Sequence, residues 1–288
     1  MIGSFETYLQ INAYSGGTID CYLSTVDKFL IWCSQKGYEP EHMNYRQCTE
    51  YFDTLQTGTT KLGKPYRDVT IRNYIGILKL YFDYLVFDEI LNLNPIEDFI
   101  YFADKTFNHD LLTESELNNL YSCFPTLNIQ PPRCPSVAIR DKVITGLCVF
   151  QGLNASTLIS LNVDHVDLDK RKLRVPGSNR TNPRVLALKQ CQLAHISSYL
   201  NEHREILQDK INHHSERLFV LNTNRFSCIV NPLTKKLRTL NYKVTNLKQI
   251  RASVITIWLQ QYDLRKVQIM VGHRHITSTE SYKKSDPD

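Results

Sequence analysis

The sequence predicts a mainly α-helical protein of two domains, in which the second domain also contains a small antiparallel sheet. The 288 residues are enough to build two separate hydrophobic cores. Apolar residues recur at helical spacing through most of the first hundred residues, and three short alternating segments lie between residues 163 and 188. We therefore expect a helical domain over residues 1–103, a polar linker over 104–110, and a mixed α/β domain over 111–288.

Three helices are expected in the first domain, each indicated by a stripe of apolar side chains. The first begins at Thr18 as its N-cap and ends at Gly37, because glycine closes helices in the left-handed conformation. The second covers residues 45–55 and the third covers residues 70–87. The Leu-Asn-Pro sequence that ends at Pro95 then stops the helical region.

The second domain is expected to open with a helix at Thr113, because Thr113 and Glu116 have the spacing of a capping box. An apolar helix over residues 140–150 follows, and later helices cover residues 191–210 and the region from 237 onward. Between them, turn residues separate three short strands. These strands are predicted at 163–168, 172–175 and 184–188.

Charge is distributed unevenly between the two predicted domains. Residues 1–110 hold 9 Lys and Arg against 15 Asp and Glu, a net of −6, whereas residues 111–288 hold 25 against 14, a net of +11. A basic region of this kind binds polyanions, so the second domain is the predicted region of contact with a nucleic-acid backbone.

Membrane, secreted and metal-binding classes are disfavoured. No apolar run approaches the roughly 20 residues that a transmembrane helix needs, and the N-terminus lacks a signal pattern. The eight cysteines are scattered without a Cys-x-x-Cys pair, which argues against a zinc site or a disulfide framework. We expect an intracellular, soluble protein with reduced thiols and no metal.

The most informative stretch is near the C-terminus, between residues 247 and 282. Lys248 and Arg251 are three apart, so on a helix they share one face. A second apolar turn ends at Gly272, which places His273 just beyond a helix end. Tyr282 follows nine residues later, after three residues, 277–279, of a type that caps helices.

This stretch resembles the C-terminal motif of the tyrosine recombinases, the phage-integrase family. That family has a His/Lys-x-x-Arg pair, then Leu-Gly-His, and the nucleophilic tyrosine nine residues after the histidine. The corresponding residues here are Lys248, Arg251, Gly272, His273 and Tyr282, in the same order and spacing. The resemblance implies a helical core-binding domain that clamps DNA, followed by a mixed α/β catalytic domain.

The resemblance also implies a reaction and a set of partners. Tyr282 attacks a DNA phosphodiester to form a 3′-phosphotyrosine, Arg251 and Lys248 bind the phosphate, and His273 hydrogen-bonds an oxygen or takes the tyrosine proton. No cofactor is needed. The implied function is site-specific recombination in the integration, excision or inversion of a mobile element. The implied partners are double-stranded DNA, other protomers in a tetrameric synapse and accessory proteins. The implied location is the nucleoid in the cytoplasm, and not a membrane.

Two positions depart from the family pattern. The family places an arginine where this chain has Asn154, and a general-acid lysine on a β-turn where it has Asn179. These departures predict reduced activity. They also leave open an alternative of another class, a catalytically impaired DNA-binding relative that serves as an architectural or regulatory partner of an active recombinase.

Further basic residues are candidates for DNA contact. Arg180 lies in the turn of the predicted hairpin, beside Asn179, and Arg184 begins the strand that follows; a local cluster also lies in the otherwise acidic first domain. The cluster candidates are Lys61, Lys64, Arg67 and Arg72. The competing interpretation of the cluster is a solvated helix face. Similarly, the C-terminal residues could be a basic helix turn, a capping histidine and a surface tyrosine.

Overall fold

The chain divides into two units, each built around its own buried core. The computed structural model describes residues 2–60, 63–102, 110–126, 134–178, 181–220 and 226–283. The units are Met1–Lys105 and Thr106–Asp288, and a separate cluster of buried apolar residues fills each one. The predicted linker at 104–110 lies outside the described residues, except for Asp110.

The first unit is helical, as predicted. Its helices are α1 (Ile2–Ile11), α2 (Gly16–Lys36), α3 (Tyr45–Thr57) and α4 (Asp68–Phe87). Helix α1 was not predicted from the sequence; it buries Phe5 and Leu9 on one face. Helix α2 begins one turn earlier than predicted, with Ser15 as its N-cap, and the Thr18 hydroxyl hydrogen-bonds to the Ser15 hydroxyl. Gly37 ends α2 at a φ of 70°, as expected.

The second unit combines helices with a small sheet, also as predicted. Its helices before the sheet are α5 (Glu114–Ser122), α6 (Pro135–Gln151) and α7 (Ala155–Ser160). Its strands are β1 (Val166–Asp167), β2 (Lys172–Val175) and β3 (Arg184–Ala187). The helices that follow are α8 (Gln190–Ser198), α9 (Arg204–Ile211), α10 (Ser227–Leu240), α11 (Leu247–Gln261), α12 (Leu264–Val271) and α13 (Thr277–Glu280). The capping box between Thr113 and Glu116 forms at the start of α5.

The described strands pair antiparallel in the order β1, β2, β3. Val175 pairs with Arg184, so the hairpin turn lies between these two residues, and Lys172 pairs with Ala187 at the opposite end. The predicted strand at 163–168 is wrong in its first half, because Val163–His165 forms a 3₁₀ turn. Side chains alternate along β3, so Arg184 and Leu186 face the interior.

Helix α10 shows another limit of the sequence pattern. It begins at Ser227, ten residues before the predicted start, and it contains Pro232. A proline interrupts the helical signal in a sequence, although buried Ile229 and Leu233 give the helix a clear inner face. Among the residues that the structure describes, no helix is long and apolar enough to cross a membrane.

Candidate active site

The site is centred on Arg251, which α11 carries into the interior of the second unit. Helix α11 starts at the N-cap Asn246, whose side chain accepts a hydrogen bond from the Gln249 amide. Arg251 is only 7% exposed. Its Nη1 donates to the carbonyl oxygen of Gly152, which ends α6 in the left-handed conformation, and its Nη2 lies 3.5 Å from the carbonyl oxygen of Val271. The helix ends around it thus fix the guanidinium.

His273 lies beside this guanidinium because Gly272 ends α12. Gly272 has a φ of 79°, and the chain turns there so that the His273 ring faces Arg251. The Nε2 atom of His273 is 3.5 Å from Nη2 of Arg251, and Nδ1 is 2.9 Å from the Thr279 hydroxyl. Since the guanidinium can only donate, Nε2 is the acceptor and Nδ1 carries the proton.

Tyr282 completes the cluster from the turn that follows α13. Its ring stacks on the His273 ring, with centroids 6.0 Å apart and planes at 18°, and its side chain is hydrogen-bonded to Arg251. The ring packs against the buried cluster formed by Ile255 of α11 and Val267 and Val271 of α12. The structure therefore brings Arg251, His273 and Tyr282 into mutual contact, as the motif predicts.

Burial sets the protonation states in this cluster. Burial, reinforced by the positive charges of Arg251 and Arg184, lowers the pKa of His273 to about 4. The imidazole is therefore neutral at pH 7. Burial also lowers the pKa of Arg251, and contact with Tyr282 partly offsets this effect.

Arg184 joins the cluster from the sheet. It is 8% exposed, and burial together with the charge of Arg251 lowers its pKa to about 10, so it is still protonated at pH 7. Its guanidinium lies over Gly272, where a Cβ atom would be 2.9 Å from the Arg184 Cζ. The absence of a side chain at Gly272 thus makes room for Arg184.

Hydrogen bonds attach the β2–β3 turn to the end of α12. The amide of Asn182 donates to the Gly272 carbonyl oxygen at 2.8 Å, and Thr181 forms a bridge with His273. Nη2 of Arg274 donates to the Ser178 carbonyl oxygen at 2.9 Å. These contacts fix the position of the turn relative to His273.

The two polar residues expected near the phosphate, Asn154 and Lys248, lie outside this buried cluster. Asn154 is the N-cap of α7, and its side-chain oxygen accepts from the Thr157 amide at 2.8 Å. Lys248 is exposed on the first turn of α11. Lys172, at the far end of β2 from the turn, is also exposed.

The other candidate DNA contacts fall into two groups. Lys61 and Arg180 lie outside the described residues, as does Asn179. In the first unit, Lys64 is exposed in the segment before α4, and Arg67 is exposed as the N-cap of α4. Arg72, within α4, is partly buried. Their role in DNA contact stays a prediction.

Sequence reasoning missed Thr279 as part of the site. Residues 277–279 were expected to cap a helix by their side chains, but the N-cap of α13 is Ile276 and makes no side-chain cap. Thr279 is instead fully buried and hydrogen-bonds His273. Its hydroxyl lies six residues from the histidine, a spacing that no general motif singles out.

Two family models match this chain over most of its length. The model of the phage integrase family matches residues 110–288, and a model of the N-terminal SAM-like domain of phage integrases matches residues 1–91. The chain belongs to the phage integrase family, which confirms the resemblance seen in its C-terminal motif.

Relatives match along almost the whole chain. The tyrosine recombinase of Thermosipho africanus is 23% identical over 98% of this chain and 94% of its own length. The tyrosine recombinase XerA of Pyrococcus furiosus is 26% identical over 99% of this chain and 89% of its own length.

Solved structures show the same fold. The XerH site-specific recombinase bound to its difH substrate, in a pre-cleavage complex, has a TM-score of 0.69 at 18% identity, covering 92% of this chain and 75% of that chain. A lambda integrase dimer bound to a core site has a TM-score of 0.65 at 12% identity, covering 100% and 96%.

Proposed function

We propose that this chain is a site-specific tyrosine recombinase, which cleaves and rejoins DNA strands through a 3′-phosphotyrosyl intermediate. The observation that carries the proposal is the contact among Arg251, His273 and Tyr282 in one cluster, in which Arg251 is buried and the other two side chains are half-buried. A nucleophile, a neutral base and a charged phosphate ligand meet there. This arrangement favours the enzyme over the architectural alternative, which needs no such assembly.

Each of the three groups has a distinct task. The Arg251 guanidinium, fixed by two carbonyl oxygens, pairs with two non-bridging oxygens of the phosphodiester. His273 offers an unprotonated Nε2 toward the same space, while Thr279 holds its Nδ1–H. A base whose tautomer is fixed in this way accepts a proton without first reorganising.

In the cleavage step, the phenolic oxygen of Tyr282 forms a bond to phosphorus and the bond from phosphorus to the 5′ oxygen breaks. The phenolic proton passes to Nε2 of His273. The released 5′ oxygen takes a proton from solvent, because Asn179, at the position of the family's general acid, has no acidic proton to give. The phosphotyrosine keeps the free energy of the diester, so attack by another 5′ hydroxyl reverses the step on a new strand.

The partners follow from this chemistry. Double-stranded DNA is the substrate, and the net charge of +11 over residues 111–288 favours its backbone. Strand exchange between two duplexes needs several protomers on DNA, so other copies of a recombinase are partners in a tetrameric synapse, with accessory proteins. The outcome is integration, excision or inversion, and the place of action is the nucleoid in the cytoplasm.

Covalent capture tests the proposal and identifies the target sequence in the same experiment. Genomic DNA from the organism that encodes the chain is nicked at random, incubated with the protein and treated with detergent. DNA that stays attached to the protein is then recovered and sequenced. We expect a recurrent sequence linked to the protein through Tyr282, located by peptide mapping.

Matched variants control the capture experiment. Tyr282→Phe removes the nucleophile, and Tyr242→Phe removes a phenol that is 84% exposed on another part of the second unit. Tyr242→Phe should retain covalent product and Tyr282→Phe should yield none. If neither the wild type nor Tyr242→Phe gives a covalent product, the architectural alternative replaces the enzyme.

A further inference from the structure

Arg184 occupies a position where the strand pattern requires an apolar side chain. Residues alternate between buried and exposed along β3, and Arg184 shares the buried face with Leu186. Its cross-strand partner Val175 is buried as well. With 8% exposure, a full positive charge has been withdrawn from water here, which is rare for an unpaired arginine.

The guanidinium of Arg184 has almost no compensation within the described part of the chain. Nε and Nη2 are buried without a hydrogen-bond partner among those residues, and Nη1 reaches only the Asn182 carbonyl oxygen, at 3.5 Å. The ion pairs found there do not include Arg184. The nearby charge that acts on the Arg184 guanidinium is that of Arg251, which is also positive and therefore repels it.

Two buried guanidinium groups that repel each other form an anion site. An unpaired buried charge is strongly unfavourable, and an anion between the two groups would satisfy the open donors and cancel the repulsion. His273 borders the same space, since both arginines act on its imidazole. The anion would therefore lie within reach of the proposed base.

We propose that Arg184 is a catalytic residue, which binds the scissile phosphate together with Arg251 and supplies the second positive charge of the site. The inference rests on the proposed recombinase function. A phosphodiester carries one negative charge, whereas the five-coordinate phosphorus formed by the attack of Tyr282 carries two on its non-bridging oxygens. Two guanidinium groups match the transition state better than the ground state, so Arg184 acts on rate more than on affinity.

The local structure allows Arg184 to reach a phosphate with its strand in place. Its backbone is fixed by β3 and by the hydrogen bond from Asn182 to Gly272. Its side chain is held by one long hydrogen bond, and the guanidinium packs directly on Gly272, where no Cβ obstructs it. A rotation of the side-chain torsions is enough. Asn154 brings no charge to this phosphate, because its side chain is a neutral amide, and that amide caps α7.

The test compares Arg184→Met with Arg174→Met. Arg174 lies on β2 of the same sheet but is exposed, so each variant removes one charge from the sheet and only the first empties the buried position. The substrate is a nicked duplex carrying the sequence found by covalent capture. The single-turnover rate of covalent complex formation and the affinity for intact duplex are measured separately.

We expect Arg184→Met to slow covalent complex formation by roughly 10² to 10³, with affinity changed by less than about threefold. Arg174→Met should keep the wild-type rate. The unfolding midpoint of Arg184→Met without DNA should equal or exceed that of the wild type, because an unpaired buried charge has been removed.

A neutral substrate separates a contact with the phosphate from a structural role. Replacing a non-bridging oxygen of the scissile phosphate by a methyl group removes one negative charge from the ground state and from the transition state. On this methylphosphonate, the wild type and Arg184→Met should differ by less than about threefold, because the second guanidinium no longer has a charge to match. Equal slowing on both substrates would mean that Arg184 acts only on the structure, and would overturn the inference.

The remaining outcomes are also decisive. A wild type that cleaves, with Arg184→Met equally fast, overturns the role of Arg184 and leaves the recombinase function intact. Absence of covalent product from the wild type overturns both. If Arg184→Met unfolds, Arg184→Lys takes its place, since lysine keeps the charge but loses the two-pronged donor geometry of the guanidinium. Its rate of covalent complex formation should be lower than that of the wild type and of Arg174→Met, but higher than the background rate without enzyme.

Discussion

His273 is neutral because its surroundings oppose a positive charge, and this has a consequence for stability. Its folded pKa is about 4, below the ordinary value of 6.5. Between these two pH values the unfolded chain binds a proton at this residue and the folded chain does not. Stability therefore falls as pH drops through this window, and the contribution of His273 is fully present only above the unfolded pKa.

We predict that His273→Gln reduces the loss of stability between pH 7 and pH 5. The free energy of unfolding is measured by urea denaturation at both pH values for the wild type and the variant. His213→Gln, which changes an exposed histidine, is the control and should behave as the wild type. An identical loss in all three proteins would contradict the low folded pKa of His273.

Asn154 gives a second prediction at the scale of single residues. Asn154→Arg removes the N-cap of α7 and should lower the free energy of unfolding by about 1 kcal/mol. If Arg184 already supplies the second charge, the added arginine should raise the cleavage rate little in the wild type. It should raise the rate of Arg184→Met severalfold. A large gain in the wild type would show that the site lacks the second charge.

The residues of the site differ in how far the sequence reveals them. Arg251, His273 and Tyr282 lie within 32 positions of one another on adjacent elements, so fixed spacing is enough to predict their contact. Arg184 comes from a hairpin far upstream, and its burial depends on the register of β2 and β3. From the sequence, Arg184 is only a candidate for DNA contact beside the hairpin turn, since alternation over four residues does not reveal what covers each face.

At the scale of elements, Gly272 both ends α12 and contacts Arg184 of the site. The importance of this contact can be tested by comparing Gly272 with a second glycine that ends a helix elsewhere. Gly37 and Gly272 both end helices, at φ values of 70° and 79°, but only Gly272 has a neighbour where a Cβ would stand. Replacement by alanine should cost each protein about 1 kcal/mol through backbone strain.

We predict that Gly272→Ala also slows cleavage, because the new methyl group displaces Arg184, whereas Gly37→Ala leaves the rate unchanged. The measurements are urea denaturation and the single-turnover rate on the nicked duplex. Equal rates for the two alanine variants would argue against a contact between Gly272 and Arg184 that matters for the reaction.

The helices themselves were predicted with uneven success, for identifiable physical reasons. Helices α3 and α4 have strong apolar stripes, and their predicted starts and ends are correct to within two residues. Helix α1 was missed because it is only ten residues long, and its burial comes from packing against α2 and α4. The start of α10 was missed because Pro232 hides the periodicity on either side of it.

At the scale of the whole molecule, the charge division predicts where affinity for DNA resides. Each unit has its own core, so fragments of residues 1–105 and 106–288 are expected to fold separately. The second fragment should bind duplex DNA, and contact with about six phosphates would lower its affinity by roughly 10³ between about 50 and 200 mM salt.

The first fragment, tested under the same conditions, should bind far more weakly. It carries a net negative charge despite the exposed Lys64 and Arg67. Electrophoretic mobility shifts over a salt series measure both fragments. Comparable affinity of the two at matched salt would contradict the assignment of backbone binding to the second unit.

The hydrogen bond between Arg251 and Tyr282 joins residues of one polypeptide, and in the proposed reaction this predicts which protomer supplies the nucleophile. A protomer that assembles its own nucleophile and its own phosphate ligand cuts in cis and borrows neither from a neighbour. A mixture of Tyr282→Phe and Arg251→Met proteins should then be inactive, because no molecule in it holds both groups. Enzymes that donate the tyrosine in trans recover activity in such a mixture. Activity of the mixed proteins would therefore show that one protomer supplies the tyrosine to the active site of another.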